Sequence, residues 1–226
     1  MVLISGTEEW KKAHQGGAIG LLELSGVDNK QGERLLEDRK REIEAKLVKR
    51  YGKFSRQELI TLPVMSAYRS YYKRFKKTYH VLLQVESIAQ KGKELPNVSP
   101  LVDANFIAEM ETFVLTAGHD VQKLFEPVEI DVSRERDHIT QMHGANKTIR
   151  DGDMVMRDAY GISCSILYGQ DNRSPIKQET EHVLYVAYAP VGVPAGMVES
   201  QLQKIEENIR LFSPKVIVEQ SQLLFA

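Results

Sequence analysis

The feature that most constrains the fold of this chain is a change in hydrophobic period close to Gly118. Before that glycine, apolar side chains mostly recur at spacings of three and four residues, which is the period of an amphipathic helix. After it, short β-branched or alternating runs are separated by Gly, Asp and Asn, a pattern typical of strands joined by turns. Helices and strands segregate only partly, and this order predicts a mixed α+β, or α/β, fold with a central mixed or antiparallel sheet flanked by helices.

The bounds of individual helices and strands are predicted from the same periods and from the Gly and Pro residues that interrupt them. The spacing predicts helices between Gly32 and Gly52, and at 62–77, 80–92, 101–113 and about 195–212. It predicts strands at 16–24, 128–132, 153–157, 161–167, 182–188 and 215–225. A chain of 226 residues can bury a hydrophobic core that is stable without disulfide cross-links, so the expected organisation is a single domain over 1–226.

Composition excludes several classes of protein. With 42% hydrophobic and 27% charged residues, the chain is close to the average globular protein, which excludes disordered and collagen-like chains. Its single cysteine, Cys164, cannot form an internal disulfide, and its place in an apolar alternating run predicts a buried thiol in a reducing compartment. The sequence has neither a signal-like start nor an apolar window of membrane-spanning length, so a cytoplasmic protein without a membrane partner is expected.

A net charge of −1 argues against a protein that coats nucleic acid, and no DNA partner is expected, although a balanced total can hide a local basic face. Such a face is predicted in the segment 68–79, where tyrosines and a phenylalanine alternate with Arg69, Lys73, Arg74, Lys76 and Lys77. Aromatic rings beside cations suit stacking on unpaired bases and contact with RNA phosphates. The alternative is that the tyrosines face the core and the cations are only solvated.

A small-residue segment, Leu115 to Asp120, presents His119 beside Asp120 in a predicted turn after a helix. An exposed pair of this kind can orient water or a substrate amine, because imidazole titrates near neutral pH. The alternative is that Asp120 caps a helix that begins at Val121, while His119 packs locally.

The segment 168–180 leaves a strand through Gly169 and gathers Asp171, Arg173, Glu179 and Thr180 in one loop. Loops of this composition line small-ligand pockets, although they also form ordinary polar hairpin connections. Phosphate-binding glycine loops, Cys-x-x-Cys pairs, His-Glu-x-x-His helices and nucleophile elbows are missing. No cofactor and no metal are expected, since His138 and His143 have no further ligands nearby in the sequence.

Several short motifs follow one another in a characteristic order along the chain. They are Tyr68-Arg69, Pro96 to Pro100, Leu101-Val102-Asp103, Gly118-His119-Asp120, Gly152-Asp153-Met154 running into Asp158, and Tyr168-Gly169 followed by Thr180 and Val183-Leu184-Tyr185. This order resembles the B3/B4 editing domain of the phenylalanyl-tRNA synthetase β chain. The resemblance covers about 60–190, with an N-terminal strand and helix and a C-terminal helix and strand as additions.

The resemblance implies tRNA or aminoacyl-tRNA as the partner, and a deacylase that acts in trans on mischarged tRNA without a covalent protein nucleophile. Ligase activity is not expected, because the chain is too short to contain the synthetase catalytic domain. The resemblance implies pocket roles for Asp120, Asp158, Gly169 and Thr180, and Tyr168, Asp171 and Arg173 of the same loop are expected to complete the substrate pocket. In this hypothesis His119 or Glu179 positions water, and the basic segment docks the acceptor end.

The sequence also departs from the family. Ala117 stands where the family has a histidine, three residues before the aspartate, and the family's Val-Asp-x-x-Asn is shortened here to Val102-Asp103-Ala104-Asn105. Whether the site is catalytic is therefore left open, as is the oligomeric state. Two alternatives remain, a non-catalytic RNA-binding module and a small-molecule-binding protein that reuses the fold.

Overall fold

The computed structural model describes residues 1–30 and 33–226, so that Gly32, the expected start of the first long helix, lies outside the described residues. The helices are α1 (Glu8–Ala13), α2 (Glu33–Tyr51), α3 (Arg56–Leu59), α4 (Pro63–Arg74), α5 (His80–Ala89), α6 (Pro100–Thr112) and α7 (Ala195–Phe212). The strands are β1 (Ile4–Gly6), β2 (Ala18–Ser25), β3 (Thr116–Asp120), β4 (Val128–Val132), β5 (His138–Thr140), β6 (Asn146–Thr148), β7 (Met154–Asp158), β8 (Gly161–Ser165), β9 (Gly169–Gln170), β10 (His182–Ala189) and β11 (Ile217–Phe225).

A four-stranded antiparallel sheet in the order β11-β2-β10-β3 lies at the centre of the hydrophobic core. Its inner strands β2 and β10 are buried along nearly their whole length and are mostly apolar, as expected of a sheet covered on both sides. Helices α6 and α7 pack against each other, and α7 packs on β2 and β10. Gly20 allows the close approach of α7, because a Cβ atom there would lie 2.6 Å from Val198 Cγ1.

A second, five-stranded sheet has the order β1-β4-β7-β8-β9, with β1 and β4 parallel and the other neighbours antiparallel. Strands β5 and β6 form a separate hairpin. A small apolar cluster of Ile139, Ile149, Val155 and Ile162 packs between this hairpin and the five-stranded sheet.

The predicted fold class is confirmed, since helices flank mixed and antiparallel sheets, although two sheets replace the single central one expected. Each predicted long element is present, and α7 has the predicted bounds. The segment predicted as a turn at 115–120 is instead the edge strand β3, because β10 supplies its backbone partners. The short elements β1, α1, α3, β6 and β9 had no sequence prediction. The expected division into a 60–190 core and two additions stays a prediction.

Cys164 is buried as predicted, and burial raises the pKa of its thiol to about 12. Among the described residues, no helix combines the length and the apolarity needed to cross a membrane.

A buried ion pair joins α2 to the start of α6. Lys40 Nζ lies 2.7 Å from Asp103 Oδ2 and also donates to the carbonyl oxygen of Pro96 at 3.0 Å. Both side chains are almost fully buried. Removing one partner of such a pair leaves the other charge uncompensated, which costs far more than losing an exposed pair.

We therefore expect Lys40→Met to lower the free energy of unfolding by about 3–5 kcal/mol. Lys46→Met, which removes the exposed pair with Glu42 on the same helix, should change it by less than about 1 kcal/mol. Urea unfolding of both variants measures the difference. Equal losses in the two variants would contradict the assignment of Lys40 as a buried structural cation.

Candidate functional site

A cavity of about 460 Å³ opens between α6, β3, β10 and the segment from β8 to β9. Its walls are mostly apolar and aromatic, and they include Val102, Phe106, Leu115, Met142, Ile166, Ile176 and Tyr185. These residues come from distant segments, so the cavity forms only when α6 has packed beside the four-stranded sheet. Its volume lies within the range of roughly 300–1,000 Å³ that small-molecule sites occupy.

Two glycines shape this cavity. A Cβ atom at Gly118 would lie 2.6 Å from Ile176 Cδ1 and 3.0 Å from Tyr185 Cε1, so glycine lets both side chains approach the β3 backbone. Gly169 has a φ of +82°, a left-handed conformation that glycine adopts without strain, and it turns the chain into β9. Ala117 also lines the cavity.

A few polar groups interrupt the apolar lining, among them His80, Asn105, Glu109, Cys164 and Tyr188. Glu109 is 3% exposed, and its Oε1 accepts a hydrogen bond of 2.8 Å from the Thr116 amide. Burial raises the pKa of Glu109 to about 8, against the opposing effect of its hydrogen bonds. The buried Tyr188 hydroxyl has no oxygen or nitrogen partner among the described residues, and the Cys164 thiol beside it is a weak one.

The histidine predicted as catalytic lies outside this cavity. His119 is fully buried, and its Nδ1 lies 2.8 Å from Ser174 Oγ. Gln170 Nε2 lies 3.0 Å from the same nitrogen, but its two hydrogens go to the carbonyl oxygens of Gly118 and Ser174. Because Ser174 Oγ donates to Asp171 Oδ1, it accepts from His119, which places the imidazole proton on Nδ1. Burial, and then the charge of Arg173, lower the pKa of His119 to about 3. The expectation of an exposed His119–Asp120 pair is therefore wrong, since the loop after β9 covers His119.

The structure brings several other predicted residues together in a network around the same loop. Arg173 Nη1 lies 3.0 Å from both carboxylate oxygens of Asp158, and its Nε lies 2.6 Å from Asp171 Oδ2. Both carboxylates are buried, so the guanidinium holds the loop to the end of β7. Asp171 and Arg173 line a separate hollow of about 250 Å³.

The remaining residues predicted for the pocket either stabilise the fold or lie at the surface away from the cavity. Asp120 caps the short 3-10 helix that begins at Val121, through a bond of 2.9 Å from the Gln122 amide, and it accepts another from Thr180 Oγ1 at 2.9 Å. This confirms the alternative interpretation of Asp120 as a cap. Glu179 is exposed and does not line the cavity. Of the predicted substrate-binding residues, only Gly169 lines it.

One of the predicted cations, Lys77, lies beside the segment between β8 and β9 that lines the cavity. Arg69, Lys73, Arg74 and Lys76 are exposed, while half-buried Lys77 donates to the carbonyl oxygen of Leu167 at 3.0 Å. Two cations from another segment join them, because Lys147 Nζ lies 6.0 Å from the Tyr168 ring centroid and Arg150 donates to the carbonyl oxygen of Phe75. We call this group the basic surface: Arg69, Lys73, Arg74, Lys76, Lys77, Lys147 and Arg150. None of them forms an ion pair with a carboxylate of the described residues.

The tyrosines of the same segment do not face solvent. Tyr68, Tyr71, Tyr72 and Tyr79 are all at most 3% exposed. Their hydroxyls donate to buried acceptors, such as the carbonyl oxygen of Tyr188 for Tyr68 at 2.6 Å. The idea that these rings stack on bases is therefore wrong, and the alternative of a core-facing stripe is confirmed.

Sequence reasoning missed Glu109, Tyr188, Lys147 and Arg150. One signal was present for Glu109, a carboxylate inside the helix predicted to pack on the core, where an acidic side chain needs a specific reason. Nothing local connects 147–150 with α4. Among the described residues, no group of three or more His, Cys, Asp or Glu side chains could hold a metal ion.

The buried position of His119 predicts that its imidazole stays neutral, with the proton on Nδ1, between pH 5 and 8. Nitrogen-15 NMR of the histidine rings measures both the tautomer and the titration, and His119→Gln identifies the signal. In urea-unfolded protein the same ring should titrate near the ordinary value of about 6.5. A folded-state midpoint between pH 5 and 8 would contradict the buried environment.

The raised pKa of Glu109 makes a pH-dependent contribution to stability. Its folded pKa of about 8 exceeds the ordinary value of 4.5, so the folded state holds the proton more tightly than the unfolded state does. The resulting stabilisation of the fold is fully present below pH 4.5 and is lost as pH rises towards 8. The free energy of unfolding of the wild type should therefore fall by up to about 1.4 kcal/mol per pH unit over this window, and Glu109→Gln should abolish this decline. Urea unfolding from pH 5 to 8 tests this, with Glu111→Gln as a control for charge removal on α6. Parallel curves for wild type and Glu109→Gln would be the contrary result.

Comparisons with known proteins give limited information. No family model matches the chain, and no curated protein matches it. Among solved structures, it aligns with an N-terminal fragment of the phenylalanyl-tRNA synthetase β-subunit from Pyrococcus horikoshii, with a TM-score of 0.48 and 9% sequence identity. The alignment covers 98% of this chain and 50% of that fragment, so this chain spans about half the length of the fragment. A likeness this weak establishes neither a common family nor a common function.

Proposed function

We propose that this chain binds aminoacyl-tRNA, with the aminoacyl group in the cavity and the phosphates of the acceptor end on the basic surface. The observation that carries this proposal is the adjacency of the two features. Gly169 lines the cavity, and the preceding Tyr168 ring lies beneath Lys77, whose Nζ is 3.7 Å from the ring centroid. A ligand with a small apolar part joined to a polyanion would contact both.

The charge distribution supports an anionic partner for the basic surface. Seven cations that pair with no carboxylate of the described residues belong to this surface, although the net charge of the chain is −1. Phosphates release condensed counterions when such cations neutralise them, which makes binding strong at low salt. The aromatic side chains of α4 are committed to the core, so this interface would read the backbone of the RNA rather than its bases.

The finer proposal is that the chain hydrolyses mischarged tRNA in trans. Cys164 is the thiol in the cavity, and its raised pKa leaves it protonated at neutral pH, which disfavours a covalent cysteine mechanism. Water is then the nucleophile, and the terminal ribose of the substrate is available to assist it. The catalytic roles of His119 and Glu179 stay predictions, and neither side chain lines the cavity.

A non-catalytic RNA-binding module is the second candidate, and one observation favours it. Both predicted water-positioning side chains lie outside the cavity, and buried His119 has its Nδ1 bonded within the loop network. This candidate shares the tRNA-binding prediction and differs only in turnover.

Neutralising the basic surface should weaken tRNA binding. The test variant replaces exposed Lys73, Arg74, Lys76 and Lys147 with Gln, which should lower affinity about tenfold or more at 0.15 M salt and reduce the salt slope by up to about 4. The matched control replaces exposed Lys46, Lys49, Arg50 and Lys53, with the same charge change. Filter binding across a salt series compares them. Equal behaviour of the two variants would remove the basic surface from the proposal and favour a small-molecule-binding protein.

Deacylation is tested by incubating the protein with correctly and wrongly charged tRNAs and measuring amino-acid release. Ala117→Leu should abolish selective release, because leucine fills part of the cavity, while Ala45→Leu on the exposed side of α2 is the matched control. His119→Ala should lower release without altering tRNA affinity if the predicted catalytic role holds. If the protein binds tRNA but releases the amino acid from none of the charged tRNAs, the non-catalytic RNA-binding module is the remaining candidate function.

A further inference from the structure

Glu109 is a buried carboxylate without a cationic partner among the described residues. Asp103 pairs with Lys40, Asp158 pairs with Arg173, and Glu86 pairs with Arg56, whereas buried Asp120 and Asp153 accept hydrogen bonds from neutral groups. The groups that act on the Glu109 carboxylate are likewise neutral, namely the Thr116 amide and the Asn105 side chain. Of the buried acids in the described chain that lack a cation, Glu109 is the one that lines the cavity.

The surroundings of Glu109 make this lack of a cation expensive. The side chain projects from α6 into a cavity with mostly apolar walls, where an ionised carboxylate loses its hydration without an opposite charge. Glu111, two residues later, lies near the surface and pairs with both Arg39 and Lys204. Solvent and cations are thus available to this helix, but not on the face that lines the cavity.

A second polar group in the same cavity has no strong partner. Tyr188 is 1% exposed, and its hydroxyl has no oxygen or nitrogen partner among the described residues, with the weakly hydrogen-bonding Cys164 thiol beside it. Tyr68, Tyr72 and Tyr185 instead donate to backbone carbonyls, and Tyr71 donates to Asp153. A buried hydroxyl with so weak a partner is uncommon, and together with a carboxylate that has no cation in the same cavity it indicates a ligand that supplies the missing interactions.

We propose that the cavity accepts a protonated primary amine on an apolar body, with the Glu109 carboxylate as its ionic partner. This inference rests on the proposed function and deepens it, because an aminoacyl ester carries an α-ammonium group and some carry a second one on the side chain. The apolar walls would contact the hydrocarbon part of the ligand, and the ammonium would replace the cation that the fold does not provide. A neutral ligand would leave the Glu109 carboxyl protonated.

The ionisation state of Glu109 provides a direct readout. The free protein holds a proton on this carboxyl at pH 6.5, and an ammonium ligand would displace it. Binding should therefore release about one proton per ligand, which calorimetry in buffers of different ionisation enthalpy measures. A neutral ligand bound through a hydrogen bond from the carboxyl would release none.

Three related amino-acid esters separate the sources of the ammonium. Norleucine methyl ester carries only the α-ammonium, Nα-acetyl-lysine methyl ester carries only the side-chain ammonium, and Nα-acetyl-norleucine methyl ester carries neither. We expect one of the first two to bind with proton release, and the third to bind at least about tenfold more weakly. Glu109→Gln should remove both the preference and the proton release, with its folding checked by thermal unfolding.

Several outcomes would overturn the inference. They are equal binding of the third probe, binding of an ammonium probe without proton release, undiminished binding by Glu109→Gln, and binding of none of the probes. Wild-type binding of uncharged tRNA, measured in parallel, tests the proposed function separately. Ammonium binding without tRNA binding would preserve the inference and reject the tRNA partner, whereas the reverse result would reject only the inference.

Discussion

The tyrosine hydroxyls of α4 tie this helix to both sheets, and the candidate site depends on that connection. Tyr68 bonds the β10 carbonyl of Tyr188, whereas Tyr71 bonds Asp153 just before β7. Each hydroxyl is buried, so losing its acceptor would cost about 1–3 kcal/mol. With the inner face of α4 committed in this way, its cations point outward, beside the segment from β8 to β9 that lines the cavity.

Buried polar groups in this protein fall into two sets with different consequences. Around the loop after β9, His119, Ser174, Asp171 and Arg173 largely bond to one another, which fixes the loop. In the cavity, Glu109 has no cationic partner and the Tyr188 hydroxyl has no oxygen or nitrogen partner among the described residues. The first set stabilises the fold, whereas the second carries an energetic cost that a ligand can offset. This contrast separates the candidate binding groups from residues that only resemble an active site in sequence.

The sequence predictions were accurate for elements whose signals lie within their own segment and inaccurate for elements that depend on distant partners. Helix α7 begins and ends where its apolar period and Pro214 predict, because both signals lie within the segment. Strand β3 was predicted as a turn, since Thr-Ala-Gly-His-Asp has few β-branched residues, and its extended form depends on pairing with β10. The short strands β5, β6 and β9 likewise lack an apolar alternation of their own.

The sequence by itself determined the fold class, the burial of Cys164 and the presence of a cationic segment, because period and composition act within short stretches of chain. Only the tertiary structure decided which polar groups share an environment. It buried His119 beneath the loop that ends near Pro175, placed Lys147 beside Lys77, and left Glu109 facing a cavity without a cation. These outcomes depend on contacts between segments far apart in the chain, and the partners of a side chain in such contacts are not encoded in its neighbours.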